Sequence, residues 1–283
     1  MSQARDKYLE INKAITLESE REKKHLAQLI LQHYYDVLPL DIALNKEFDY
    51  NAHATDVARC IEMLNRNQPI QYILGETEFF GYPFKVNASV LIPRPETEEL
   101  VDLVLEDNKT KERLSIIDIG TGSGCIPISL KKQQPTWNIT AVDISPEALL
   151  VAKDNAVLNN VSINFILDSI LLPEQINSKK FDILVSNPPY ITNKEKALMH
   201  KNVLDYEPHL ALFVKDHEPL LFYRACLSYA ENHLHPGGKV YFEINEHYSE
   251  EMKSLCKNMN FKEIKLIEDL SGRKRIISCK KSD

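Results

Sequence analysis

The strongest constraint on the fold is an alternation that begins near residue 115 and runs to the end of the 283-residue chain. Short apolar runs at 115–118, 139–143, 163–167, 181–186 and 239–244 are separated by helical patterns at 125–133, 146–158, 218–234 and 249–258. This rhythm predicts a parallel sheet covered by helices on both faces. Two further runs, 261–268 and 273–279, flank Leu270-Ser271-Gly272 and predict an antiparallel hairpin that closes the sheet edge. The expected fold class is α/β, doubly wound and mostly parallel, with seven strands.

The chain ahead of this region has a different texture. From Ala4 to about Arg66 few Gly or Pro interrupt a helical pattern. Val57, Ile61 and Leu64 fall on one face, and Leu26, Leu29, Ile30, Tyr34 and Val37 mark a similar stripe. Stripes of this kind are buried by packing against one another, so residues 1–75 are expected to form a small N-terminal helical domain. Glu78-Phe79-Phe80 and Phe84-Lys85-Val86, joined through Gly81-Tyr82-Pro83, predict a linking β-hairpin within 76–92. The α/β domain then spans 93–283, opening with two prolines, Pro93 and Pro95, just before an acidic helix start.

Composition narrows the setting. Hydrophobic residues make up 43% and charged residues 27% of the chain, and no apolar run approaches the roughly 18 residues of a membrane span. The opening Met1-Ser-Gln-Ala-Arg-Asp lacks the basic start and apolar centre of a signal peptide. Five scattered cysteines, Cys60, Cys125, Cys226, Cys256 and Cys279, never pair as C-x-x-C, and no histidine has metal-ligand spacing with a cysteine or acid. The expectation is a cytoplasmic protein with reduced thiols, no metal site and a monomeric state. A formal charge of −7 opposes tight, sequence-independent binding to nucleic acid.

Asp118-Ile119-Gly120-Thr121-Gly122-Ser123-Gly124 follows a strand and opens a helix, so its glycines allow a tight turn and close approach to a ligand. A glycine loop alone is also compatible with a bare βα turn. Asp118 and Asp143 add the chemistry of a ligand site: Asp118 favours a cofactor with a positive amino group over a pyrophosphate, and Asp143, about twenty residues on, is placed to accept ribose hydroxyls. Asp168, at the end of the third strand, is the candidate partner of an adenine amino group, with Ser169 beside it.

The fourth strand runs into Asn187-Pro188-Pro189-Tyr190. Carboxyl ends of strands in a doubly wound sheet line the ligand crevice, which brings this tetrapeptide beside the glycine loop. An amide or aniline-like nitrogen is a poor nucleophile because its lone pair is delocalised. Asn187 offers a side-chain carbonyl and Pro188 a backbone carbonyl to the two hydrogens of an NH2 group, the prolines stiffen the turn, and Tyr190 offers a ring for stacking. A stiff turn without chemistry is the alternative reading of the tetrapeptide by itself.

Taken together, Asp118 to Gly124, Asp143 and Asn187 to Tyr190 resemble the class I S-adenosylmethionine-dependent methyltransferases that modify planar NH2 groups. Within that class the chain is similar to the release factor glutamine methyltransferases, the HemK/PrmC family. The similarity extends to Gln68-Pro69-Ile70-Gln71-Tyr72-Ile73-Leu74-Gly75, Glu78-Phe79-Phe80, Leu91 to Glu98 and Tyr206-Glu207-Pro208. The resemblance implies methylation of the side-chain amide nitrogen (N5) of the glutamine in the Gly-Gly-Gln motif of peptide chain release factors, the proteins of translation termination. It implies that Asn187, Pro188, Pro189 and Tyr190 form the acceptor pocket. Asp118, Gly120, Thr121, Gly122, Ser123, Gly124, Asp143, Asp168, Ser169 and Asn187 would hold S-adenosylmethionine, and the helical domain would dock the protein substrate. Where the family often has an aromatic residue after the third acid, this chain has Ser169; where it has Gly and Gln after Phe242-Glu243-Ile244, this chain has Asn245 and Tyr248.

Two other functions fit parts of this pattern. Adenine N6 presents the same planar NH2, so a nucleic-acid amine methyltransferase would use the same tetrapeptide on a flipped base. A cofactor-binding module that scaffolds translation factors would need no catalysis at all. The polar segment 193–216 lacks strong periodicity and is expected to be a mobile flap over the acceptor pocket.

Overall fold

The computed structural model describes residues 1–17 and 19–282, with Leu198 described by its backbone alone. The chain divides into two compact units, one made of Met1–Gly75 with His200–Tyr206, the other of Glu76–Met199 with Glu207–Asp283.

The smaller unit contains the helices Ala4–Ala14, Glu20–Tyr35, Pro39–Ala43, Ala54–Leu64 and Ile70–Leu74. Helix Glu20–Tyr35 begins where the Ser19 hydroxyl accepts the Glu22 amide, satisfying one of the unpaired donors of its first turn, and ends at Asp36 in the left-handed region (φ 54°). Leu26, Ile30, Leu31, Val37, Val57 and Leu64 are buried together, while Leu29, Tyr34 and Ile61 pack against them half-exposed. The expected apolar stripes therefore do form the core of this unit. The Tyr206 hydroxyl donates to the Arg66 carbonyl at 2.8 Å.

A seven-stranded sheet organises the larger unit. Its strands lie in the order Phe261–Glu268, Lys274–Lys281, Leu234–Glu243, Phe181–Ser186, Ser115–Ile119, Asn138–Asp143, Asn164–Leu167. The last five run parallel, and Lys274–Lys281 is antiparallel to both of its neighbours. Alternate side chains go to opposite faces. Ile116, Ile183, Val185 and Tyr241 share one core with the fully buried Trp137, while Ile117, Leu184, Val240 and Phe242 share the other with Leu227. Burial on both faces is the reason these strands read as continuous apolar runs. The fifth strand starts at Leu234, earlier than its sequence pattern suggests. Its register shifts between Leu234 and Lys239, so regular pairing begins at Lys239.

The hairpin Glu76–Phe79 and Tyr82–Lys85 turns through Phe80 and Gly81, both at positive φ. Its Phe79 and Phe84 are buried with Leu100 and Val104, so it packs as part of the larger unit. The buried Asn155 ties it to the glycine loop: Nδ2 donates to the carbonyls of Lys85 (2.9 Å) and Ser123 (2.9 Å), and Oδ1 accepts the Lys85 amide (2.6 Å). Segment 193–216 holds short elements, including a helix at His209–Leu212 and the strand Phe213–Val214, which pairs in parallel with Ile191–Thr192 just ahead of the segment. No helix among the described residues is long and apolar enough to cross a membrane.

Candidate active site

The glycine loop leaves the central strand Ser115–Ile119 and feeds helix Cys125–Gln133. Gly124 caps that helix at φ 80°, and a Cβ there would lie 3.0 Å from Ile128 Cδ1 and 3.2 Å from Ala152 Cβ. Both the conformation and the helix contact therefore require glycine. The amides of Gly120 and Thr121 donate to the Val142 carbonyl on the neighbouring strand. Asp143, at the end of that strand, accepts the Gly122 amide on Oδ2 (2.8 Å) and the Ser145 amide on Oδ1 (2.9 Å). Each oxygen keeps a lone pair for a ligand. Burial raises the pKa of Asp143, and its hydrogen bonds from backbone amides pull it back in part.

A cavity of about 360 Å³ opens at these strand ends, within the larger unit. Gly120 to Ser123, Asp143, Asp168, Ser169, Asn187, Pro188 and Pro189 line it, joined by Thr97, Arg94, Ile144, Ile170, Leu171, Leu210 and Phe222, among others. The structure thus brings the glycine loop and the tetrapeptide to one cavity. Three of the residues singled out in the sequence, Asp118, Gly124 and Tyr190, are not on its wall.

Asp118 is fully buried, and neither carboxylate oxygen has a hydrogen-bond partner; the buried Thr121 hydroxyl is likewise unpartnered. Desolvation pushes the Asp118 pKa up to about 7, and the Asp143 charge adds to the rise. An orphaned buried carboxylate is costly, and a cationic ligand would compensate it, so this residue fits a cofactor that carries an amino group.

Asp168 lies on the cavity wall and also folds the loop that follows it. Its carboxylate accepts the amides of Ser169 (2.8 Å), Glu174 (3.1 Å), Gln175 (2.7 Å) and Ile176 (3.1 Å). Burial alone would raise its pKa, but these amides, Gln175 foremost, hold it below the usual carboxylate value. The oxygens hold the 168–176 loop, so the residue shapes the cavity wall. Ser169, in place of an aromatic ring, turns this loop by accepting the Leu171 amide on its hydroxyl, and Ile144, Ile170 and Leu171 supply the apolar surface.

Around the tetrapeptide the structure shows a network that the sequence did not reveal. Asn187 Nδ2 donates to Thr97 Oγ1 (3.2 Å), Thr97 Oγ1 donates to Glu243 Oε2 (2.6 Å), and the Tyr190 hydroxyl donates to Glu243 Oε1 (2.9 Å). The Tyr190 hydroxyl is thus turned to the protein, with its ring packed against the core. Burial raises the Glu243 pKa, against the hydrogen bonds of Thr97 and Tyr190 and the charge of Arg275, and Glu96 adds to the rise. The only available sequence signal was an acid inside the apolar run Val240-Tyr241-Phe242-Glu243-Ile244, where an isolated charge is expensive. Arg94 and Glu207 form a second unanticipated pair (2.5 Å), with Glu207 Oε2 also accepting the Ile92 amide. All five cysteines are buried and unbridged, and among the described residues no His, Cys, Asp and Glu cluster could hold a metal.

A sheet in this order, with a glycine loop on its central strand and a polar tetrapeptide on the next, defines a class I methyltransferase. The model of the methyltransferase small domain matches residues 97–210. The hMettl16 catalytic domain, solved with a MAT2A 3′UTR hairpin, shares the fold at a TM-score of 0.57 and 18% identity, over 81% of each chain. The release factor glutamine methyltransferase of Flavobacterium psychrophilum is 46% identical over 91% of this chain and 92% of its own length. That of Bacteroides thetaiotaomicron is 43% identical over 91% and 92%. The chain belongs to the release factor glutamine methyltransferase family.

Proposed function

We propose that the protein transfers a methyl group from S-adenosylmethionine to N5 of the glutamine in the Gly-Gly-Gln motif of peptide chain release factors. The observation that carries this reading is the convergence of Asn187 and Pro188 with the glycine loop on one cavity. The names of its relatives support the acceptor and favour it over a nucleic-acid base.

Bound S-adenosylmethionine supplies an electrophilic methyl group. Asp143 and the loop Gly120 to Gly124 would hold it, with Asp118 compensating its amino group and Ile144, Ile170 and Leu171 against its base. Toward the acceptor, the Asn187 side-chain carbonyl and the Pro188 backbone carbonyl would each take one hydrogen of the glutamine NH2. Accepting both hydrogens draws electron density onto nitrogen and favours its pyramidal form, and Pro188 and Pro189 keep the acceptors fixed. The new N–C bond would form as the S–CH3 bond breaks, with S-adenosylhomocysteine as leaving group. The amide proton becomes acidic only as that bond forms and is then lost to solvent, so no base is required in the attack itself. The helical unit is proposed to dock the release factor, and the protein to act in the cytoplasm as a monomer.

The test is incubation with S-adenosylmethionine and an unmodified release factor, followed by peptide mass spectrometry across the Gly-Gly-Gln loop. One added methyl group on that glutamine is expected, with near-complete loss for Asn187→Ala. Transfer to an oligonucleotide and none to release factor would overturn the reading in favour of a nucleic-acid amine.

A further inference from the structure

Asn187 must present its carbonyl, and not its NH2, to the acceptor nitrogen. An asparagine side chain is nearly symmetric in shape, so its orientation is set by what its two ends bind. Here one end is held. Glu243 is 2% exposed and sits at the end of the strand next to the tetrapeptide's own. Its two carboxylate oxygens face two hydroxyls, Thr97 at 2.6 Å and Tyr190 at 2.9 Å. A carboxylate has no hydrogen to give, so both hydroxyls donate to it. Thr97 thereby spends its only hydrogen on Glu243, and its oxygen meets Asn187, 3.2 Å away, solely as an acceptor. Only the NH2 end of Asn187 can satisfy that acceptor, which leaves Oδ1 for the cavity.

We infer that Thr97, polarised by Glu243, is a positioning residue that fixes the orientation of the Asn187 amide for methyl transfer. The carboxylate acts as the source of a one-way hydrogen-bond chain: Asn187 donates to Thr97, and Thr97 donates to Glu243. Burial raises the Glu243 pKa, and the groups that face it act in both directions. Arg275, from the adjacent strand, contributes positive charge, Tyr190 and Thr97 contribute donors, and Glu96 opposes its ionisation. If the chain ran the other way, with Thr97 donating to Asn187, the amide would turn its NH2 toward the substrate NH2 and the two sets of hydrogens would repel.

This inference rests on the glutamine-methylation reading, and wild-type turnover on release factor tests that reading separately. Thr97→Val keeps the shape and removes the hydroxyl; Thr97→Ser keeps the hydroxyl. The expected result for Thr97→Val is a fall in kcat on the order of ten- to a hundredfold, the scale for a misplaced catalytic group. KM for release factor and the Kd of S-adenosylhomocysteine should stay within about threefold, since the orientation of Asn187 matters to the transfer step more than to ground-state binding. Thr97→Ser should retain kcat within about threefold. In the Thr97→Val background, Glu243→Gln should lower kcat by less than it does alone, because the route from Glu243 to Asn187 is already cut. Should Thr97→Val fail to fold, Thr97→Ala against Thr97→Ser makes the same comparison. With an active wild type, the inference is overturned by any of three results: hydroxyl-free variants within twofold of wild-type kcat, a serine variant as impaired as they are, or a loss that follows weakened S-adenosylhomocysteine binding.

Discussion

Asp118 shows what a single buried side chain can decide. Its carboxyl has no hydrogen-bond partner within the protein and its pKa is raised from 3.8 to about 7. Folding therefore takes up a proton between these values, and the stability contributed by the neutral form is lost as pH rises from 3.8 through about 7. A cation favours the ionised form, so ligand binding near pH 6 should release a proton from this site. Calorimetry of S-adenosylhomocysteine binding in buffers of different ionisation enthalpy should detect that release, and Asp118→Asn should abolish it while weakening binding by about tenfold, the equivalent of one pKa unit of charge interaction. The identity of this residue was legible because the glycine loop marks its place. Its isolation was not legible, since whether a carboxylate finds a partner depends on what folds over it. Asp168 is the converse case: its place at a strand end was legible, but not that the loop that follows wraps four backbone amides around it.

Elements are joined by side chains that pair across long stretches of sequence. Asn155, on helix Pro146–Leu158, holds the Tyr82–Lys85 strand and the glycine loop through three hydrogen bonds. Asn155→Leu would fill much the same space and leave two carbonyls and an amide without partners, so a loss of about 2–4 kcal/mol is expected in chemical denaturation. Glu207 is buried against Arg94 and the Ile92 amide, anchoring the segment that opens the acidic helix. Glu207→Ala strands a guanidinium that is a third exposed, and a destabilisation of about 3 kcal/mol, at the low end for a broken buried pair, should appear as a lower Tm. Helix and strand positions were legible because apolar period and capping residues are local. Segment 193–216 was not, because its short helices and two-residue strands carry too few residues for a period to show.

At the scale of the molecule, the chain builds separate cores in its two units, and the cavity draws on the larger unit alone. Ile30→Ala in the smaller unit should cost about 2–5 kcal/mol of that unit's stability and leave the affinity for S-adenosylhomocysteine within about twofold, because every residue lining the cavity belongs to the other unit. A scanning-calorimetry transition lowered by the substitution, with an unchanged binding isotherm, is the predicted result. A parallel drop in affinity would mean that the units are energetically coupled.

The sequence by itself determined the sheet, the glycine loop and the tetrapeptide, because each is written in contiguous residues: apolar runs buried on both faces, glycines that accept positive φ, prolines that stiffen a turn. It also carried the resemblance to the family to which the chain belongs. Only the tertiary structure decided how these parts are held to their task. Asn187 meets Thr97 across 90 residues, Thr97 meets Glu243 across 146, and Arg94 meets Glu207 across 113. Hydrogen bonds at that separation leave no periodicity in a single sequence. They exist only once the sheet has brought its strand ends side by side and excluded the water that would otherwise satisfy the same groups.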